Sequence, residues 1–141
     1  MADTTEDAIV DRVRDVVTAL GFTEAVGFDF TRQPAGAHDK AFTVTFAGLA
    51  PIGHIGEHEE ARAVVTVTVQ RSIDNDYQVA RRLCWQNARA ILNAIVSDGS
   101  DSGIYAVDDG GQTKAVEQPV GAGYLLARLT VPVNFEAAVA V

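Results

Sequence analysis

Several things are scarce in this sequence: one Cys, one Met and one Trp in 141 residues, and only four Pro. The lone Cys84 excludes an intrachain disulfide, and the acidic opening MADTTED is not a basic-then-apolar leader. Folding in a reducing cytoplasm, or in an assembly built there, is the expectation. No run of residues approaches the roughly 18 apolar positions a membrane helix needs. Cations are also few, 11 Lys plus Arg against 19 Asp plus Glu, for a net charge of −8 and a pI near 4.7. A surface of that sign repels phosphate and argues against a general nucleic-acid groove. No Ser stands in a Gly-x-Ser-x-Gly elbow, and no glycine-rich stretch follows a strand pattern to open a helix, so neither a hydrolase nucleophile nor a phosphate cradle is legible.

What is present is enough for one domain over residues 1–141. A chain of this length buries on the order of 70% of its unfolded surface, so neither disulfides nor metal are needed for a core. Hydrophobic residues are 48% of the chain and charged residues 21%, the composition of a folded protein.

Periodicity predicts a helix over residues 5–20. Ile9, Val13, Val16, Val17 and Leu20 form one stripe, Thr4 is placed to cap with Asp7 three residues on, and Gly21 supplies the left-handed stop. Alternation predicts strands at Phe28 and Phe30, and at Phe42, Val44 and Phe46. The strongest strand runs from Ala61 to Gln70, with Ala63, Val65, Val67 and Val69 on one face. The intervening stretches TRQPAGAHD and GLAPIGHIGEHEE read as loops from their Pro and Gly content.

A second helix is expected from about Asp76 to Val96, capped by Asp74 or Asn75. Tyr77, Ala80, Cys84, Ala88, Ile91 and Ile95 form its apolar row, widened by Val79, Leu83 and Leu92. SDGSDSG follows as a loop, then a hairpin of Ile104–Val107 with Lys114–Gln118 around DDGG. A long strand comes last, with Leu125, Ala127, Leu129, Val131, Val133 and Phe135 on one face. Pro132 marks an edge or a stop in its pairing. Residues 136–141 read as a short flexible tail. The order predicts an α+β fold, a mainly antiparallel sheet with two helices packed on one face.

Candidate chemistry is thin. His54 and His58 have a spacing that would suit two metal ligands on a helix, but Gly53, Gly56 and Pro51 oppose a helix, and no second Cys/His cluster completes a site. Asp98 to Asp109 has Gly103 and Asp109 where a calcium loop has its glycine and last ligand. Ser100 and Ser102 stand where carboxylates are needed, and the bidentate Glu is missing. Cys84 lies in an apolar row, His38 has no partner nucleophile, and Asp108 and Asp109 share a turn. Arg71, Arg81, Arg82 and Arg89 read as a solvated face paired with the surplus carboxylates. No catalytic residue, metal ligand or cofactor site is assigned, and the chain reads as a non-enzyme.

The succession of DAIVDRVRDVVTAL, then ARAVVTVTVQRSIDNDYQVARRLCWQNARAILNAIV, then GYLLARLTVPVNF resembles the tail terminator proteins of long-tailed bacteriophages and the tail-completion proteins near them. The resemblance is one of size, order and pattern over most of the chain. It implies a virion protein at the head-proximal end of the tail, assembled in the host cytoplasm as a homo-oligomeric ring, a hexamer in that family. Such a ring caps the tail tube protein, stops its polymerisation and offers a joining surface to a head-completion or connector protein. Genomic DNA passes through the lumen without specific binding. Six copies at −8 would carry −48, which suits a lumen that DNA slides through.

The segment Leu49, Pro51, Ile52, Gly53, His54, Ile55 and Gly56 places apolar residues among glycines where no internal core requires them, and is the expected subunit or tube interface. Two other readings stand beside this one. A head-tail connector or stopper would sit on the head side of the joint. A small-molecule-binding α+β domain would use Thr43, Thr45, Thr66, Thr68 and Arg128 if they share an exposed sheet face.

Overall fold

The computed structural model describes residues 6–24, 39–55, 58–73, 76–108, 111–118 and 123–138. The elements are α1 (Glu6–Ala19), β1 (Thr23–Glu24), β2 (Ala41–Ile55), β3 (His58–Ser72), α2 (Tyr77–Ser102), β4 (Ala106–Val107), β5 (Thr113–Glu117) and β6 (Tyr124–Ala138). Thr4, the Phe28–Phe30 strand and residues 139–141 lie outside the described residues.

The fold is α+β. Six strands form one sheet in the order β1-β2-β3-β6-β4, with β5 also on β6. Every pairing is antiparallel except the short parallel contact of β1 with β2. Both helices cover one face. Ile9, Val13 and Val17 of α1 and Ala80, Cys84, Ile91, Leu92 and Ile95 of α2 join a core with Phe42, Val65, Val67, Leu129, Val131 and Phe135. Burial of the odd-numbered residues of β3 and β6 follows from the two-residue period of a strand, because only one face meets the helices. Leu20, Tyr77 and Val79, expected on the apolar stripes, are 41%, 40% and 46% exposed. They stand at helix ends, where a stripe runs past its packing partner.

Helix ends follow local chemistry. Gly21 takes φ 96° after α1 and Gly103 φ 68° after α2, both in the left-handed region that glycine reaches without strain. The N-cap of α2 is Asp76, whose carboxylate accepts from the amides of Gln78 and Val79. The expected caps, Asp74 and Asn75, lie outside the described residues.

Four expectations are corrected. First, GLAPIGHIGEHEE is not a loop: β2 continues to Ile55 and β3 begins at His58, making one long hairpin whose last pair is Ile55 with His58. Register shifts fall between Ala47 and Ala50 and again between Pro51 and Gly53, where Ile52 is the extra residue and Pro51 and Gly53 keep Ala61 and Glu60 as partners. β2 pairs with β1 only at Ala41 and Phe42, so Pro51 lies on a stretch where, among the described residues, no neighbour on that side needs its missing donor.

Second, SDGSDSG is helical to Ser102. Gly99 is buried there because a Cβ would come within 2.8 Å of the Tyr105 ring and 2.9 Å of its carbonyl oxygen. Third, β4 and β5 do not pair with each other. Both pair with β6, as two pieces of one edge interrupted opposite Pro132. Asp108 donates its amide to the Pro132 carbonyl. A strand residue directs its N–H and C=O to the same side, so the donor that proline lacks falls in this gap. Fourth, residues 136–138 are no tail: Glu136, Ala137 and Ala138 pair with Glu60, Glu59 and His58.

Candidate functional site

Three regions carry groups that the core does not absorb. The first is the far end of the hairpin. β3 and β6 continue by three residues each past Ala61 and Phe135, their outermost residues described as buried, and β2 runs alongside to Ile55. At about 3.3 Å per residue this three-stranded extension reaches on the order of 10 Å beyond those two residues. Leu49, Pro51, Ile52, Gly53, His54 and Ile55 all lie on β2, but only Gly53–Ile55 pair within the extension, since Pro51 stands opposite Ala61; Gly56 lies outside the described residues. His54 stands opposite Glu59, and His58 opposite Ile55, so the two histidines belong to facing strands rather than to one helical face.

The second region is the sheet face turned away from the helices. Thr43, Thr68 and Arg128 form one cross-strand row, and Thr45, Thr66 and Thr130 the next, with Thr113 extending it on β5. All five residues named for a ligand-binding face therefore share one surface. Arg128 donates to Glu117 at 3.0 Å, and both side chains are exposed. Further along the strand on this face, Arg62 pairs with Asp108 and donates to Asn134. Near the opposite end Gln70 is fully buried, and neither of its amide atoms has a hydrogen-bond partner among the described residues.

The third region is a groove of about 570 Å³ between the first half of α2 and β5. Gln78, Arg81, Arg82, Trp85, Gln86 and Arg89 line it from the helix, and Lys114 from the strand. The helix supplies them by geometry: Gln78, Arg82, Trp85 and Arg89 recur at three- and four-residue steps, hence on one face. Lys114 joins them because β5 pairs Lys114 with Leu129, turning it to the helical side of the sheet. The expectation that these arginines pair with surplus carboxylates fails. Among the described residues no ion pair engages Arg81, Arg82, Arg89 or Lys114. Arg71 does follow it, 3.6 Å from Asp39. Trp85, 39% exposed, was legible as a large aromatic standing off the apolar row, and its place in the groove is a finding of the structure.

Elsewhere the titratable groups serve the fold. Asp98 accepts both Arg12 Nε at 3.1 Å and Arg12 Nη2 at 2.7 Å, tying α1 to α2. The Tyr105 hydroxyl lies 2.8 Å from the Ile95 carbonyl oxygen and 3.0 Å from Asp98 Oδ2, its one proton serving two acceptors. Burial, with the Asp98 charge beside it, pushes the Tyr105 phenol above its ordinary value. Asp98 is thus an interhelix anchor on a helix, not the first ligand of a calcium loop. Burial likewise pushes the Cys84 thiol up to about 11, the reverse of what a nucleophile needs. Among the described residues no three His, Cys, Asp or Glu are grouped to hold a metal ion, and no helix is long and apolar enough to cross a membrane. No protein-family model and no curated protein sequence matches the chain.

Proposed function

We propose that the protein is a ring-forming structural subunit of a phage virion, a tail terminator that caps the tail tube and presents the head-joining surface. Its work is binding, without turnover. The observation that carries the reading is the three-stranded extension beyond the core. The strands continue past Ala61 and Phe135, the outermost residues of β3 and β6 described as buried, and Gly53–Ile55 at the end of the Leu49–Ile55 stretch pair there. Extended strands outside a core are suited to contacts between chains, through backbone groups and alternate side chains. The negative net charge agrees with a lumen that DNA crosses without sticking.

Electron microscopy of particles made without the gene tests this. Overlong or ragged tails, unattached to filled heads, are expected. Free tails of uniform length beside leaking heads would move the protein to the head side, as a connector, and intact infectious particles would overturn the assembly reading. Deleting Pro51–Gly56 should leave a folded monomer that no longer docks on tube; normal docking by that variant would remove the extension from the interface.

A further inference from the structure

We infer that the basic groove between α2 and β5 receives the acidic outer face of α1 from a second copy of this chain, in a head-to-tail contact. Four of the chain's 11 Lys and Arg line this one groove, on a protein whose net charge is −8. None of the four is in an ion pair among the described residues, although carboxylates are in excess. They surround an exposed tryptophan, and Trp and Arg together are the side chains that most often anchor a protein interface.

The complementary surface is on the same chain. Asp7, Asp11 and Asp15 follow one another at four-residue steps along α1, all exposed, opposite the buried row of Ile9, Val13 and Val17. Like charges at that spacing destabilise a helix by itself. Asp11 has Arg14 at 3.2 Å, while Asp7 and Asp15 have no ion pair among the described residues. Three carboxylates over two turns span about 12 Å, and Arg82 and Arg89 are separated by about 10.5 Å along their helix. The two stripes therefore match in length and in sign.

Their placement decides the kind of contact. α1 packs on β1 and β2 at one side of the sheet, whereas the groove lies over β5 at the other. Each copy thus carries a socket on one edge and a complementary ridge on the opposite edge. That is a heterologous interface, and repeated with a fixed rotation it closes into a ring. A nucleic acid is the weaker occupant, since the rest of the surface opposes its approach. The inference rests on the ring reading for its setting, but the contact is tested separately.

The test uses two variants of the full chain. The socket variant carries Arg82→Glu with Arg89→Glu; the ridge variant carries Asp7→Lys with Asp15→Lys. In sedimentation velocity at low ionic strength the wild type should self-associate, and added salt should weaken it. Each variant alone should associate about 100-fold more weakly or not at all. An equimolar mixture should associate again, because the unchanged ridge of one variant meets the unchanged socket of the other, and the two reversed surfaces are also opposite in charge. If the ridge variant fails to fold by circular dichroism, Asp7→Asn with Asp15→Asn replaces it.

A wild type that stays monomeric to millimolar concentration, a variant that associates like wild type, or a mixture that stays monomeric would each overturn the contact. Duplex DNA that binds the wild type and not the socket variant would also overturn it, by assigning the groove to phosphate. Any of these results, alongside overlong tails in particles lacking the gene, would discard the contact and leave the terminator reading standing.

Discussion

The two halves of α2 put their charged side chains to opposite use. In the second half Asp98 has internal partners, holding Arg12 and Tyr105, and Gly99 clears room for the tyrosine ring. In the first half three arginines and a tryptophan face outward, unpaired among the described residues. The difference teaches how to separate groups that fold the chain from groups available to something outside it. A charge with a partly buried partner is structure. A cluster of one sign left without partners, on a surface of the other sign, is an address.

Substitutions in the second half should therefore cost stability and leave association alone, and those in the first half the reverse. The largest effect belongs to Gly99→Ala. Its new methyl group meets Tyr105 ring and backbone at under 3 Å, so a loss of about 1–3 kcal/mol is expected in urea unfolding. Self-association of whatever stays folded should be unchanged. Next is Asp98→Asn, which removes the charge that both Arg12 guanidinium bonds need. Arg12 is 39% exposed and partly screened by water, so about 1–2 kcal/mol is the expected loss.

A pH titration probes the buried side of the first half, where Cys84 stands in the core. The Cys84 thiol sits at about 11 in the fold against an ordinary 9.0, so the native state holds its proton more tightly. That contribution is complete below pH 9 and disappears as pH rises through 11, with about 1 kcal/mol gone at pH 10. Tyr105, raised by burial in the same direction, adds to the alkaline loss. Chemical denaturation at pH 8 and pH 10 measures the sum, and Cys84→Ala should flatten part of the slope. The smallest effect on stability falls in the first half. Arg82→Glu with Arg89→Glu should shift the unfolding free energy by no more than about 0.5 kcal/mol while abolishing association, which would sharpen the contrast.

Much of the fold could be read in advance because burial imposes a period. The stripe of α1, the row of α2 and the alternation of β3 and β6 each meet the core as their spacing requires. The corrections in the hairpin and in α2 share one cause. In the hairpin extension, and in the last turns of α2, the local preference of Gly, Pro and Ser is for loops. Their meaning there is tertiary: Pro51 and Gly53 pair with Ala61 and Glu60 on either side of a register shift, and Gly99 admits Tyr105. The groove was half visible. Arg82 and Arg89 stand seven residues apart in the sequence, but Lys114 joins them only through the pairing of β5 with β6. The shared threonine face was likewise conditional on register.

The sequence by itself determined the α+β class, the two amphipathic helices, the glycine stop after Leu20 and the acidic balance of the surface, because each depends on neighbours a few residues apart or on composition. The tertiary structure alone decided the strand order, the interrupted edge opposite Pro132, the length of the hairpin and the convergence of four cations at one edge. Those depend on which distant segments pair, and pairing is chosen by the packing of the whole chain.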